Sequence, residues 1–216
     1  MNRAKKIELE KLALNILGKH NIRDNPGKHL KEITDAEGIT VLAHKGWEPQ
    51  VCGKIILIDN APVIFYNEEH TERMISFTIA HELGHYFLGH LDEQTVEIIC
   101  LDRDFQRMEE KTDKREVEAN YFASCLLLPL NLLKPEFDAF MEWNRRYNGV
   151  LYIDKQPCNF YDYKMCIQRM QLCFLASETA IRFRLINLGW MIFNIEFDDK
   201  EDKGISLARY LETQKS

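Results

Sequence analysis

The sequence predicts an α+β fold that is mostly helical, with a small antiparallel or mixed β-sheet packed on one long helix and a helical C-terminal extension. Amphipathic stretches with helical spacing recur along the chain, whereas the runs typical of strands lie between residues 39 and 66. The composition, 45% hydrophobic and 29% charged residues, is that of a globular protein. Because 216 residues exceed a typical domain of ~150, we expect one domain with an extension.

The first elements along the chain are two helices and three strands. Apolar residues recur at helical spacing over residues 4–17, and Gly18 ends this helix. A short helix then follows Pro26 and ends at Gly38. The three predicted strands, of which the last two form a hairpin around a turn-forming stretch, cover residues 39–42, 52–58 and 62–66.

A long helix over residues 70–89 follows the strands. Its apolar residues recur with a period of 3.6, it contains no proline, and either Asn67 or Thr71 supplies its cap. The mixed, acidic stretch 91–111 predicts a loop with a short element.

Helices also dominate the rest of the chain. Thr112 or Asp113 opens a helix that runs to residue 127, and further helices reach about residue 147. The remaining predictions are a connecting loop over residues 148–164, two short helices over 165–176 and 178–188 joined at Ser177, and a solvated tail after residue 198.

The long helix contains the sequence His81-Glu82-Leu83-Gly84-His85. Residues four apart share a helix face, so both imidazoles can bind one ion while Glu82 flanks its open side. Zinc accepts neutral imidazole, and a catalytic zinc site keeps one position for water, whose proton a neighbouring glutamate can take. The motif therefore predicts a zinc-dependent hydrolase. The alternative is a pair of exposed helix histidines beside a solvated glutamate.

A catalytic zinc site needs a third protein ligand. The extended metzincin motif is excluded, because Leu88 and Leu91 occupy the positions of its glycine and third histidine. His90 lies about 140° around the helix from His85, so we interpret it as a helix-end residue rather than a ligand.

Glu116 is the remaining candidate for the third ligand. It shares a helix face with Ala119, Asn120 and Ala123, and small alanines allow one helix to lie close against another. The alternative is that Glu116 is a capping partner three residues after Asp113.

Taken together, these residues resemble a known family. Arg73, the stretch 76–90 and the stretch 116–129 (EVEANYFASCLLLP) resemble the ImmA/IrrE family of bacterial and phage-associated zinc metallopeptidases, over about residues 4–130. The resemblance implies one zinc ion, held in a gluzincin-like manner by His81, His85 and Glu116, with Glu82 as the catalytic base. The residue that stabilises the oxyanion stays open, with Tyr121 and His90 as candidates.

The resemblance also implies a substrate class. Members of this family act on helix-turn-helix transcriptional repressors during DNA damage, mobile-element induction or stress. We therefore expect a metallopeptidase core in residues 1–130, and a helical extension in residues 131–216 that contains a helix-turn-helix-like segment at 175–189. An exposed edge of the strand 62–66 would let an extended peptide pair beside the motif helix; the alternative is an ordinary interior strand.

A non-proteolytic regulatory protein is the alternative function. In that case the zinc site is structural, and the C-terminal helices bind DNA or a repressor. Arg182 and Arg184, on either side of Phe183, are the local basic feature; the alternative is that they are solvated helix residues. The net charge of −6 does not favour nucleic acid as the main partner.

The sequence also bears on the compartment. The longest apolar run, residues 125–130, is far shorter than the ~20 residues that span a bilayer, and the start of the chain lacks the apolar region of a secretory signal. The six cysteines include no CxxC pair and are expected to be reduced and mostly buried. We expect a cytoplasmic protein with no membrane partner, and the oligomeric state stays open.

Overall fold

A computed structural model of the protein describes residues 1–91, 97–101, 113–145, 148–154 and 156–193. Seven α-helices and six β-strands occur in these residues, so the prediction of a mostly helical α+β fold is confirmed. The helices are α1 Arg3–Lys19, α2 Leu30–Ala36, α3 Glu72–Phe87, α4 Lys114–Leu127, α5 Leu130–Trp143, α6 Pro157–Cys173 and α7 Glu178–Asn187. The strands are β1 Thr40–His44, β2 Val51–Ile58, β3 Ala61–Asn67, β4 Glu97–Leu101, β5 Leu151–Ile153 and β6 Met191–Phe193.

Side-chain caps explain where the two central helices begin. Thr71 caps α3, since its hydroxyl accepts a hydrogen bond from the backbone N–H of Met74 at 3.4 Å. Asp113 caps α4 and accepts from the backbone N–H of Arg115 at 2.9 Å. An oxygen at this position satisfies one of the N–H groups that the first turn of a helix leaves free.

Four strands form one mixed sheet in the order β1-β3-β2-β4. β1 is parallel to β3, and β2 is antiparallel to both β3 and β4. The predicted hairpin is confirmed, and Asp59 and Asn60 form its turn with φ values of 50° and 65°. Because β3 lies between β1 and β2, both of its edges are paired. The prediction that an extended peptide pairs with the strand 62–66 is therefore wrong.

The predicted connecting loop over residues 148–164 is also wrong. Pro157 stands in the first turn of α6, where a missing N–H loses no helical hydrogen bond, and the helix therefore starts well before residue 165. β5 precedes α6 and pairs in parallel with the distant β6. Three-residue strands are too short to show a hydrophobic period, which is why the sequence does not reveal them. The last predicted helix is confirmed as α7, capped by Ser177.

One hydrophobic core runs through the described part of the chain. Its members come from both sides of residue 130 and include Leu9, Leu83, Phe122, Phe137 and Leu185. The division into a core and an extension at residue 130 stays a prediction, as does the helix-turn-helix character of residues 175–189. The predicted tail after residue 198 lies outside the described residues. None of the described helices is both long and apolar enough to cross a membrane.

Candidate metal centre

The site is built where α3 crosses α4, and Gly84 sets how closely the two helices approach. A Cβ added to Gly84 would lie 3.0 Å from the Cα atom of Ala119 and 3.2 Å from its carbonyl oxygen, so a larger residue would push the helices apart. Ala119 is fully buried at this contact. The close approach predicted for the small residues of α4 is present, and it brings the short Glu116 side chain to the histidines of α3.

Three side chains converge at this crossing. His81 and His85 lie one turn apart on α3 and are completely buried, and their Nε2 atoms are 2.9 Å from each other. The Glu116 carboxylate reaches both, with Oε2 3.2 Å from His81 Nε2 and Oε1 3.3 Å from His85 Nε2. The carboxylate points at the imidazoles, which favours the ligand interpretation of Glu116 over the capping one.

The donor set and its spacing fit a zinc ion. Two imidazole nitrogens and one carboxylate are ligands that zinc takes in catalytic sites. Tetrahedral ligands at about 2.1 Å from zinc lie roughly 3.4 Å from one another. The three separations, 2.9, 3.2 and 3.3 Å, are close to that value, so little rearrangement would be needed.

The ionisation of these groups also suits a cation. Burial lowers the pKa of His85 to about 4, so its imidazole is neutral at physiological pH. Burial raises the pKa of Glu116, but hydrogen bonds and charges from His81 and His85 outweigh it and hold that pKa below its usual range. Neutral imidazole and ionised carboxylate are the forms that bind metal.

Neighbouring side chains orient both imidazoles. With each Nε2 facing the cluster as a lone-pair donor, Nδ1 carries the ring proton. On this assignment the Nδ1–H group of His81 donates to Oδ1 of Asn120 at 2.9 Å, and that of His85 donates to Nδ1 of His90 at 3.0 Å. Asn120 lies one turn after Glu116 on α4, and this spacing is the sequence signal that could have identified it.

His90 reaches His85 because the helix ends before it. The chain leaves α3 through Gly89, whose φ of +66° is left-handed, and the N–H of His90 returns to the carbonyl of His85 at 2.9 Å. As an acceptor at Nδ1, His90 carries its own proton at Nε2, 3.8 Å from Oε2 of Glu118. The interpretation of His90 as a helix-end residue is correct, but it also contacts a predicted ligand.

Glu82 differs from every other charged group of the cluster. It is fully buried, and neither of its carboxylate oxygens has a hydrogen-bond partner among the described residues. Burial, then the charge of Glu116, then Cys52 raise its pKa well above the usual value. The thiol of Cys100, on β4, lies close enough that one donor atom each from His81, Glu82 and Cys100 fall within 4.8 Å of one another.

The structure does not bring Tyr121 to this cluster. Tyr121 lies five residues after Glu116 on α4, about 140° around the helix, and its hydroxyl donates to Oε1 of Glu10 on α1 at 3.2 Å. These contacts place it on the α1 side of α4. The candidacy of Tyr121 for stabilising the oxyanion therefore gains nothing from its position.

Arg184 is not part of a basic surface. It is completely buried in α7, where its guanidinium pairs with Glu10 and its Nε donates to the carbonyl of Leu128 at 3.0 Å. Two alternatives were expected: that Arg182 and Arg184 form a basic surface for reading DNA, or that both are solvated helix residues. Both are wrong for Arg184. Arg182 alone is exposed.

Comparison with known protein families gives a match. Residues 34–152 match the family model of the IrrE N-terminal-like domain, a peptidase family. No curated protein sequence matches the chain. The matched region covers more than half of the chain and includes both helices that carry the cluster. The chain thus belongs to the IrrE N-terminal-like family and is a metallopeptidase of the IrrE and ImmA kind.

Proposed function

We propose that this protein is a zinc-dependent endopeptidase in which His81, His85 and Glu116 hold the metal and Glu82 is the general base. The observation that carries the proposal is the Glu82 carboxylate, which is buried beside the converging metal donors and has no hydrogen-bond partner among the residues that the structure describes. A bound zinc ion supplies a Lewis acid that polarises the peptide carbonyl and lowers the pKa of water to about 7.

Glu82 moves the proton in this reaction. Its carboxylate takes a proton from the attacking water, whose oxygen forms the new bond to the carbonyl carbon. The same carboxyl then gives the proton to the departing amine as the C–N bond breaks. A general base works best when its pKa is near the working pH, and the burial that raises the pKa of Glu82 moves it in that direction.

The edge of β4 is the surface we propose for the substrate backbone. Within the described residues β4 pairs with β2 alone, so its second edge is unpaired among them. Cys100 on this strand lies beside Glu82, which supports the proposal that a peptide paired with β4 would lie near the proposed base. This edge replaces the paired strand 62–66 as the proposed position of the peptide.

We further propose that the substrate is a helix-turn-helix repressor. The resemblance to ImmA/IrrE proteins supports this class, and the net charge of −6 favours association with a basic DNA-binding protein. Members of the class differ in sequence, so the cleavage site is a question for mass spectrometry of the products.

The test is the substitution Glu82→Gln, which keeps the shape of the side chain but removes the base. We expect one zinc per chain in both proteins and a fall in cleavage rate of about 10²- to 10⁴-fold. The substrate to test is a helix-turn-helix repressor, taken from an adjacent gene where one encodes such a protein, and metal content is measured by atomic spectrometry. Glu72→Gln, an exposed change on the same helix, is the control. Full activity of Glu82→Gln, or wild-type protein without bound metal, would contradict the proposal.

A further inference from the structure

Two buried thiols lie beside the proposed site. Cys52 on β2 and Cys100 on β4 are 1% and 0% exposed, and Cys100 hydrogen-bonds to Cys52. The pairing of β2 with β4 is irregular between Val51 and Gly53, so Cys52 is the extra residue of the irregularity, next to Gly53 and its partner Cys100. The two thiols are therefore neighbours on the side of the site that the sheet forms.

Cys100 belongs to a second group of metal donors that shares a residue with the first. His81 is a member of both groups, which are His81, His85, Glu116 and His81, Glu82, Cys100. One donor atom from each member of a group lies within 4.8 Å of the donor atoms of the other members. Both carboxylate oxygens of Glu82, the third member of the second group, are unpartnered among the described residues. A soft sulfur donor thus lies within 4.8 Å of one predicted ligand, His81, and of the proposed base.

We propose, on the basis of the function proposed above, that Cys100 is a fourth ligand that closes the metal site in a resting form of the enzyme. Zinc binds thiolate strongly, and a zinc ion with four protein ligands is a structural site without a position for water. Occupation of the fourth position by sulfur would therefore make the same site inactive.

The exchange would balance without any other side chain. The S–H bond of Cys100 would break as the sulfur takes the fourth position, and its proton would leave with the displaced hydroxide as a molecule of water. The reverse exchange would return a proton from water to the sulfur and restore the hydroxide. Sulfur ligation would therefore remove the nucleophile.

The position of Cys100 distinguishes it from the other cysteines in the described residues. Cys52 is the hydrogen-bond partner of Cys100 but is not a member of either donor group. Cys125 lies 3.3 Å from Arg184, on the other side of α4, and Cys158 is exposed on α6. The proposal thus assigns the sulfur ligand to one residue.

Cobalt(II) in place of zinc tests the proposal by absorption spectroscopy. A thiolate bound to cobalt(II) gives a charge-transfer band in the near ultraviolet, whereas nitrogen and oxygen ligands do not. We expect this band in the cobalt-loaded wild-type chain and in Cys52→Ser and Cys158→Ser, and its loss in Cys100→Ser. Glu82→Gln should keep the cobalt, whether or not the sulfur is bound.

The outcomes separate this proposal from the proposed function. A wild-type chain that binds one cobalt per molecule without the band overturns the Cys100 ligand and leaves the peptidase mechanism in place. A band that persists in Cys100→Ser, or that disappears in Cys52→Ser, also overturns it. If the wild-type chain binds no cobalt, both proposals fail. The wild-type spectrum decides the question even where a cysteine variant does not fold.

Discussion

The Glu10 group and the metal-site group, both largely buried in the described part of the protein, differ in how completely their polar atoms are paired. In the Glu10 group, which joins α1, α4 and α7, Arg184 donates to both carboxylate oxygens and Tyr121 donates to one of them. In the metal-site group, both oxygens of Glu82 lack a hydrogen-bond partner within the described residues. The first group is paired throughout, and the second contains an unpaired carboxylate.

The difference distinguishes an ion pair that joins helices from the carboxylate that we propose as the general base. Burial alone raises the pKa of a carboxyl, and it does so for both Glu10 and Glu82. For Glu10, hydrogen bonds and charge from Arg184 outweigh burial, and the net pKa is lowered. For Glu82, the charge of Glu116 and then Cys52 act in the same direction as burial, so its pKa stays raised. The neighbouring groups thus decide the direction of the pKa shift in each case.

The largest expected effect comes from removing the carboxylate that completes the donor set. Glu116→Gln replaces a charged ligand by a neutral amide, so we expect bound zinc to fall to near zero and cleavage to fall at least a hundredfold. Substitution of a residue that only hydrogen-bonds to a metal ligand already lowers metal affinity or activity by about 10- to 100-fold. Metal content and cleavage are measured on the same sample. Glu142→Gln, an exposed change on α5, is the control. Retention of one zinc per chain would exclude Glu116 as a ligand.

The next effect breaks the paired group instead. Arg184→Met leaves the partly buried Glu10 without its partner. Because removal of one member of a buried ion pair costs about 3–5 kcal/mol, we expect the free energy of unfolding to fall by that amount. Urea unfolding measures this change. The neighbouring Arg182→Met is exposed, so we expect a change within about 0.5 kcal/mol. Equal effects of the two substitutions would show that the buried pair does not stabilise the protein.

Much of the candidate metal site could be predicted because the spacing of its residues within each helix is local. His81 and His85 share a face in any α-helix, and Glu116 with Ala119 defines the face that meets them. The hairpin of β2 and β3 could be predicted equally well, because its two strands and short turn are contiguous in the chain. In each case the pattern that predicts the feature lies within one element or two consecutive ones.

The remaining features depend on contacts between distant parts of the chain. The helical wheel places His90 away from His85, and only the left-handed turn at Gly89 brings it back. Cys100 lies beside Glu82 because β4 pairs with β2. The edge of β3 that does not face β2 is paired with β1, so β3 has no free edge. Arg184 is charged, so from the sequence alone it is expected at the surface. Its partner Glu10 lies near the other end of the chain, so the sequence does not reveal the pair.

A smaller effect is expected from the residue that orients a ligand. His90→Phe removes the acceptor of the His85 Nδ1–H group, so we expect zinc affinity to fall by about 10- to 100-fold. Competition with a chromophoric chelator measures it, and His90→Gln, which retains an acceptor, should recover part of the loss. The same change at His29, which pairs with Asp24 and Glu32 outside the site, is the control. Unchanged affinity in His90→Phe would mean that His85 is held by its other contacts.

The smallest effect concerns acid stability, where the two buried groups can be compared without altering the site. The folded pKa of Glu10 lies below its ordinary value of 4.5, so ionisation of Glu10 contributes stability that is complete above that value and is lost as the pH falls through the folded pKa. We expect Glu10→Gln to show a shallower loss of unfolding free energy below about pH 4.5 than the wild-type chain. Glu8→Gln, an exposed change on the same helix, should keep the wild-type slope. Protonation of the metal ligands affects all three proteins alike, so the difference in slope isolates Glu10. Parallel curves for the wild-type chain and Glu10→Gln would mean that Arg184 does not favour the ionised carboxylate, and the contrast with Glu82 would then rest on hydrogen bonding alone.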